Sequence, residues 1–318
     1  MPSEHQDKSV AGAPSVAILL CTLRAHDYLR QQLDSIVGQT HTSWSIWVSD
    51  DGSDQSTHTI LGEYQTRLGS SRFNILRGPA QGFAANFLSL ACNTSVSADY
   101  YAYADQDDIW ESDKLALALR WLEGMTADVA ALYCARTRKV DQDNQEIGFS
   151  RRWTRPPSFA NALVQNIASG NTMVFNQAAR RLLCIAGPDL DVPAHDWWTY
   201  LLVSACGGCV HYDATPTVRY RMHERNLIGA NRHLSQRLRH WRALLGGRPR
   251  YWNQLNVQAL QAMQTYLDAD AQYRLEQFSR ARNANLWNRT IAIARSGAYR
   301  QSILGSIGVV IAVLFKRL

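Results

Sequence analysis

Short apolar runs alternate with amphipathic segments along the first part of the chain. The run Val16–Cys21 has the length of a buried strand, and Asp27–Gly38 carries leucine and isoleucine at helical spacing. The same cycle then repeats. The predicted strands and helices that follow are Trp44–Ser49, Ser56–Leu68, Phe73–Leu76, Phe83–Ala91, Tyr100–Ala104 and Ser112–Leu122. This alternation predicts an α/β fold, with a mostly parallel central sheet and helices on both of its faces.

The segments directly after three of these strands hold the candidate chemistry. In open sheets of this class, ligands bind beyond the carboxyl ends of the strands. The segments at those ends are Thr22–Arg24, Asp50–Ser53 and Asp105–Asp108. We therefore expect a ligand site that is built from these three loops.

An acidic cluster follows the strand at Tyr100–Ala104. Asp105, Asp107 and Asp108 repel one another unless a cation neutralises them, and two carboxylates at D-x-D spacing suit a hard divalent ion that also binds substrate phosphates. The alternative is a solvated acidic turn that caps the next helix, and the cluster alone does not decide between the two. The Asp50–Ser53 segment, taken alone, favours an ordinary turn.

The combination of the three loops favours a nucleotide site. Thr22, Asp51 and Asp107 fall at neighbouring strand ends, so a carboxylate that can recognise a base lies at one side of a crevice and a metal site lies at the other. A nucleoside diphosphate fits such a crevice. The sequence contains no G-x-x-x-x-G-K-[ST] loop and no G-x-G-x-x-G after a strand, so we expect a metal ion to neutralise the diphosphate.

A series of sequence blocks stands between roughly residues 15 and 225. The blocks are Val16–Thr22, Ser35–Thr40, Trp47–Asp54, Gln81–Asn86, Asp105–Trp110 with Lys114–Leu115, Ser169–Thr172, His195–Trp198 and Tyr220–His223. Together, and in this order, they closely resemble the family 2 glycosyltransferases, which implies the glycosyltransferase A fold. The D-Q-D-D-I-W and H-D-W-W blocks look most like the bacterial branch that transfers rhamnose from dTDP-rhamnose during surface polysaccharide assembly.

The resemblance implies roles for four acidic residues. Asp51 matches the residue that reads the pyrimidine base, since a carboxylate can accept the ring N3 hydrogen of uracil or thymine. Asp105 and Asp107 match the D-x-D motif, and Asp107 is the stronger candidate for direct contact with Mg²⁺ or Mn²⁺. Asp196 matches the general base, although many members have Glu where this chain has His195. The implied reaction is a single displacement that inverts the anomeric configuration.

The resemblance also points to groups around these carboxylates. Asp108 is implied to support the metal site, and His223 matches a histidine near the metal or the diphosphate. Gly170 matches a loop that lines the donor and acceptor region. His223, Gly170 and Asp196 each have a structural alternative. A lone histidine is often only packed, a glycine often only forms a turn, and an aspartate such as Asp196 can simply stabilise a helix N-terminus.

Five further residues are candidates for contact with the nucleotide or the sugar. Thr22, Gly82 and Asn86 are expected to border the nucleotide sugar. Trp110 and Trp197 are candidates for stacking on a sugar or acceptor face, and the alternative is that they are packed in the core.

The net charge of +6 is the sum of two parts of the chain whose net charges have opposite signs. Residues 1–218 hold 16 basic and 23 acidic side chains, whereas residues 219–318 hold 17 basic and 4 acidic ones. We expect a disordered tail at 1–14, a catalytic domain at 15–226 and a basic helical region at 227–318. The predicted helices of that region are 234–245, 251–267, 271–282 and 286–294. We expect such a region to bind an anionic partner, either nucleic acid or a membrane surface.

The chain ends in an apolar stretch, Ile303–Phe315. At 1.5 Å per residue it is roughly 20 Å long, shorter than the roughly 30 Å core of a bilayer. An interfacial helix that is held by arginines at the inner leaflet agrees with a lipid-linked acceptor. The alternative is a helix that docks on the catalytic domain or on a second copy in a homo-oligomer.

The N-terminal segment and the cysteines indicate the compartment of the protein. The segment Met1–Pro14 lacks the apolar core of a signal peptide, and the six cysteines are scattered, so we expect a cytoplasmic protein at the inner membrane without a disulfide framework. Cys206 and Cys209 have redox or half-zinc spacing, but helix-end packing around two glycines is favoured.

Two other classes of function remain as alternatives. A nucleic-acid-binding protein could use the arginine-rich third, but the sequence shows no binding motif and the acidic part opposes it. A nucleotidyltransferase could share the sheet, but its glycine-rich basic loop is replaced by Cys21–Arg24. Within the glycosyltransferase reading, the donor is a dTDP- or UDP-sugar, and the acceptor is a glycan or a lipid-linked glycan.

Overall fold

A computed structural model describes residues 12–25, 28–222 and 248–317 of the chain. The predicted helix at 234–245 lies outside these residues. The described strands form one nine-stranded mixed sheet in the order β3-β2-β1-β4-β8-β6-β9-β5, with β7 paired to β6. The strands are β1 (Val16–Thr22), β2 (Trp44–Asp50), β3 (Phe73–Arg77), β4 (Tyr100–Ala104), β5 (Ile109–Trp110), β6 (Ala131–Val140), β7 (Glu146–Phe149), β8 (Val174–Asn176) and β9 (Cys209–Arg221).

The sheet is parallel in one half and mixed in the other. Strands β1, β2, β3 and β4 are parallel to one another, as the alternating pattern predicts. Strand β8 is antiparallel to both β4 and β6, whereas β6 and β9 are parallel. The expectation of a mostly parallel sheet is therefore corrected for the second half. The three-residue β8 directly follows a 3-10 turn at Gly170–Thr172 and enters the sheet between β4 and β6 in the direction opposite to both.

Helices cover both faces of the sheet, as predicted. Strand β1 is buried on both faces: Ile18 and Leu20 pack in one core with α1, α2 and α4, whereas Leu19 and Cys21 pack in the other with α3, α6 and α7. The described α-helices are α1 (Leu29–Val37), α2 (Gln55–Leu68), α3 (Phe83–Cys92), α4 (Lys114–Leu122), α5 (Phe159–Ala162), α6 (Gln177–Ala186), α7 (His195–Ala205), α8 (Arg248–Ala262), α9 (Ala269–Asn283), α10 (Leu286–Ser296) and α11 (Ile303–Leu314).

The C-terminal helices pack on the core that contains α3, α6 and α7. Leu260, Phe278 and Ile293 are buried in that core, and so are Val309 and Val313 of α11. None of the described helices is long and apolar enough to cross a bilayer. The basic region is thus joined to the catalytic fold by apolar packing rather than only by the chain.

The turn between α7 and β9 contains the two spaced cysteines. A β-carbon on Gly208 would lie 2.5 Å from the carbonyl oxygen of Ala130, so the backbone approaches too closely for any side chain. Gly207 adopts a positive φ of 72° just after the helix end. This geometry agrees with helix-end packing, and both Cys206 and Cys209 are free.

A buried arginine fixes the end of α11. The Arg289 side chain of α10 donates to the carbonyl oxygens of Val313, at 3.0 Å, and Leu314, at 3.1 Å, and also to that of Ala284, at 2.7 Å. These carbonyls lie at helix C-terminal ends, where the last carbonyl groups lack the usual partners of the helix interior, and a positive charge there also favours the helix dipole.

We predict that Arg289→Met lowers the free energy of unfolding by about 2 kcal/mol, because three carbonyl oxygens lose a charged donor. A thermal melt should show a fall in Tm of about 4 °C for a chain of this size. Arg295→Met, at an exposed position on the same helix, is the matched control and should leave the Tm nearly unchanged. An equal Tm for the two variants would contradict the capping role.

Candidate functional site

The carboxyl ends of β1, β2 and β4 open into one cavity of about 2290 Å³. Four carboxylates line it: Asp51 after β2, Asp105 and Asp107 after β4, and Asp196 at the start of α7. Three of these follow parallel strands, where the sheet topology predicts a ligand site. The structure thus brings all four of these acidic candidates to a single cavity.

Asp50 anchors the loop that carries Asp51. Its carboxylate accepts hydrogen bonds from the Thr22 hydroxyl at 2.8 Å, from the Ser53 N–H at 3.1 Å, and from His58 at 3.0 Å. Burial raises the pKa of Asp50, but these hydrogen bonds outweigh the burial, so the pKa lies below its ordinary value. Thr22 lines the cavity, yet its hydroxyl is committed to Asp50.

A glycine allows the next loop to approach Asp51. The Asp51 carboxylate accepts a hydrogen bond from the Ala80 N–H at 2.6 Å. A β-carbon on Gly78 would lie 2.5 Å from that carboxylate and 2.9 Å from the amide oxygen of Asn86. Asn86 lines the cavity, and its side chain donates to the carbonyl oxygen of Ser49 at 3.2 Å. The structure therefore adds Gly78, which the motifs did not single out.

Gly82 serves the backbone at this edge of the cavity. It precedes α3 with a φ of 95°, which a residue with a side chain rarely adopts. Gly82 is not among the residues that line the cavity, whereas Phe83 and Asn86 of the helix that follows it are. Gly82 thus forms the turn that positions those two side chains, and its contact with the nucleotide stays a prediction.

The D-x-D carboxylates lie in a strongly negative environment. Burial, and then the charges of Asp107 and Asp196, raise the pKa of Asp105 to about 8. A cation would relieve this repulsion. Within the described residues, no three His, Cys, Asp or Glu side chains cluster closely enough to form a metal cage. The donor set fits Mg²⁺ or Mn²⁺ bound by Asp105 and Asp107 together with water and substrate phosphate.

Asp108 points away from the cavity and ties the acidic loop to its neighbours. It is fully buried, and its carboxylate accepts a hydrogen bond from the Asn171 amide at 2.5 Å and a longer one from the Arg221 N–H at 3.4 Å. The Arg221 guanidinium donates to the carbonyl oxygen of Asp107 at 3.2 Å. Burial, together with the charges of Asp107 and Asp105, raises the pKa of Asp108. Asp108 thus holds the D-x-D loop from behind.

Asp196 is held by backbone groups in the first turn of α7. Its carboxylate accepts hydrogen bonds from the Gly170 N–H at 3.1 Å and from the Trp197 N–H at 2.6 Å. Burial raises its pKa, and the hydrogen bonds from Trp197, Gly170 and Asn166 oppose that rise without cancelling it. The result is a carboxylate that lines the cavity and is a stronger base than an exposed aspartate.

Gly170 and His195 support this base by close packing. A β-carbon on Gly170 would lie 2.7 Å from Nε2 of His195 and 3.1 Å from the β-carbon of Asp196. The His195 ring stacks on Phe87 at 3.9 Å, and neither ring nitrogen has a hydrogen-bond partner among the residues that the structure describes. Burial lowers the pKa of His195 to about 3, so the ring is neutral. It packs between Phe87 and Gly170 at the wall of the cavity.

The two candidate tryptophans lie in different places. Trp197 lines the cavity, and its indole N–H donates to the carbonyl oxygen of Ala162 at 2.7 Å. Trp110 is only 3% exposed, packs in the core beneath the sheet, and is covered by the Lys114 ammonium at 3.7 Å from the ring centre. The structure therefore contradicts stacking of Trp110 on a sugar, because no face of its ring reaches the cavity.

Some residues that line the cavity belong to none of the sequence motifs. Trp252 of α8 meets Trp197 edge to face, with ring centres 6.5 Å apart, and α11 forms another wall. These groups come from the C-terminal region, where no family block marks them. His223, the predicted metal ligand, lies outside the described residues.

Two solved structures share this architecture with the chain. TarS of S. aureus, solved in complex with UDP-GlcNAc, superposes with a TM-score of 0.58 over 95% of this chain and 87% of that one, at 12% identity. The mannosyltransferase PcManGT of Pyrobaculum calidifontis, solved with GDP-Man and Mn²⁺, gives 0.51 over 96% and 84%, at 18% identity. The fold is that of the glycosyltransferase A class, as predicted.

The sequence comparisons define the family. The family model for glycosyl transferase family 2 matches residues 17–185, more than half of the chain, so the protein belongs to that family. It is also similar to the dTDP-rhamnosyl transferase RfbG of Shigella flexneri, with 28% identity over 224 residues that cover 67% of this chain and 74% of the relative.

We predict that Gly170→Ala lowers the rate of sugar transfer by at least about tenfold, since the new methyl group must displace His195 or Asp196 from the cavity wall. The measurement is steady-state release of nucleoside diphosphate. Gly62→Ala in α2, where a β-carbon meets nothing within 4 Å, is the control and should retain the wild-type rate. Equal rates for the two variants would show that the close approach at Gly170 is unimportant.

Proposed function

We propose that the protein is a metal-dependent, inverting glycosyltransferase that moves rhamnose from dTDP-rhamnose onto a glycan or lipid-linked acceptor in bacterial surface polysaccharide assembly. The observation that carries the proposal is the convergence of Asp51, Asp105, Asp107 and Asp196 on one cavity. The similarity to a dTDP-rhamnosyl transferase supports the choice of donor. A UDP-hexose is the alternative donor, because TarS shares the fold and was solved with UDP-GlcNAc.

The donor is proposed to lie across the strand ends. Asp51 accepts the N3 hydrogen of the pyrimidine, and the diphosphate lies toward Asp105 and Asp107. A divalent cation bound there supplies charge that stabilises the departing nucleoside diphosphate. The carboxylates fix the position of the diphosphate, and Asp108, held by Asn171, fixes the loop that carries them.

Asp196 is proposed to act on the acceptor. It takes the proton of the acceptor hydroxyl as that oxygen attacks the anomeric carbon from the face opposite the diphosphate. The Gly170 and Trp197 N–H groups orient its carboxylate toward the cavity. One displacement breaks the bond between the anomeric carbon and the phosphate oxygen, forms the glycosidic bond, and inverts the configuration.

The charge of the C-terminal region and its apolar helix support a proposal for the acceptor and the cell compartment. The basic C-terminal region supports association with the anionic inner leaflet, where a lipid-linked acceptor is available. A homo-oligomer is compatible with this arrangement.

The direct test is a donor screen. With Mg²⁺ or Mn²⁺ present, we expect nucleoside diphosphate release from dTDP-rhamnose to exceed that from UDP-hexoses. Asp196→Asn and Asp107→Asn keep the side-chain shape and remove the charge, so each should lower kcat by about 10²-fold or more. Asp189→Asn, at an exposed loop position, is the control. The proposal fails if no donor is turned over and the Asp107 and Asp196 variants behave like wild type.

The pH dependence should report the base. Because Asp196 acts in its ionised form, kcat/KM should fall as the pH drops through its pKa, and burial places that pKa above the ordinary 3.8. The profile is measured over the range in which circular dichroism shows a folded chain. Asp189→Asn should keep the same acid limb. A profile that stays flat down to the ordinary aspartate pKa would argue against Asp196 as the base.

A further inference from the structure

The C-terminal helix α11 forms part of the wall of the catalytic cavity. Leu304, Ile307, Gly308 and Ile311 line the same cavity as Asp196. Their spacing places them on one face of the helix. The apolar stretch at the end of the chain therefore borders the space that the acceptor must enter.

This wall is fixed to the catalytic domain by specific bonds. The Gln301 side chain exchanges hydrogen bonds with the backbone of Arg155, at 3.1 Å and 3.0 Å, and the Gln301 N–H donates to Gln165 at 2.8 Å. The side chain of Asn161 donates to the carbonyl oxygen of Tyr299 at 3.0 Å. Together with the cap from Arg289, these bonds hold both ends of α11, so the helix is a built element of the cavity.

The cavity face of α11 remains exposed. Leu304 is 82% exposed, Phe315 72%, and Ile307 and Ile311 49% each, although Val309 and Val313 on the same helix are buried. A contiguous apolar surface of this kind is unfavourable in water and marks a binding surface. Its position inside the reaction cavity indicates a ligand that is partly hydrocarbon.

Positive charge stands at both ends of this apolar wall. Arg300 precedes α11, Arg317 follows it, and both line the cavity. Desolvation, and then the charge of Arg151, lower the pKa of the Arg300 guanidinium, although the residue remains exposed to solvent; an anion bound beside Arg300 would offset the repulsion from Arg151. Hydrocarbon beside an anionic group is the chemistry of a lipid diphosphate.

We propose that the exposed face of α11 binds the hydrocarbon chain of a lipid-diphosphate-linked acceptor, with Arg300 beside the diphosphate, so that the attached sugar reaches Asp196. This inference rests on the proposed function and names its acceptor class. The C-terminal region, outside residues 17–185 of the family model, then selects the acceptor.

The test measures binding without turnover. Isothermal titration compares farnesyl diphosphate with isopentenyl diphosphate, which has the same head group and a shorter chain, below the concentration at which either forms micelles. Wild type should bind the farnesyl compound at least about tenfold tighter. Leu304→Gln combined with Ile311→Gln keeps good helix formers at exposed positions and should abolish this preference. Ile185→Gln, 48% exposed on α6, is the matched control and should retain it.

Four outcomes would overturn the inference. Wild type could bind the two diphosphates equally, or the double variant could keep the preference. The double variant could lose binding to phosphatidylcholine–phosphatidylglycerol vesicles while keeping the preference, which would assign the face to a bilayer surface. Gel filtration could show a wild-type dimer that the double variant dissociates, with no chain preference in either, which would assign it to a second copy.

The two proposals fail in different ways. If the chain preference is found but no donor sugar is transferred, the proposed function is wrong and the lipid site stands as a binding site only. If sugar is transferred to a water-soluble acceptor and no chain preference exists, only the lipid site is wrong.

Discussion

Mutual repulsion between carboxylates is the constraint on which this structure depends. Burial, and then the charges of Asp107 and Asp196 in the same cavity, raise the pKa of Asp105 to about 8. Folding tolerates this concentration of charge because the loops that carry it are fixed from behind, by Asn171 on Asp108 and by Arg221 on the backbone of Asp107. A cation bound in the cavity would relieve this repulsion.

Backbone groups do much of the positioning in this site. The Gly170 N–H and the close approach at the same residue set the orientation of Asp196, and Gly78 allows the same closeness at Asp51. Neither glycine has a side chain that would occupy the space of the neighbouring carboxylate. The positions of Asp51 and Asp196 therefore depend on residues that take no part in the reaction themselves.

The sequence could predict the elements that repeat a simple pattern. The alternation of apolar runs and amphipathic helices predicted β1 to β4 and their parallel pairing, because each strand end and helix start is local. The motifs predicted which acids share a cavity. The direction of β8 could not be predicted, since three residues after a tight turn carry no periodic signal. Trp110 was misassigned because a tryptophan in a motif looks the same whether it packs on Lys114 or on a sugar.

The contribution of the C-terminal helices to the cavity wall could not be predicted either, because the sequence of an apolar helix does not indicate which of its faces packs against the core. Only the fold shows that Val313 is buried in the core while Leu304 faces the cavity. The central claim is that Asp196 takes the proton of the acceptor hydroxyl while the acceptor oxygen attacks the anomeric carbon from the face opposite the diphosphate. The most direct measurement is the anomeric configuration of the product, by NMR, against that of the donor. Inversion is the predicted result, and retention would contradict a single displacement with Asp196 as base.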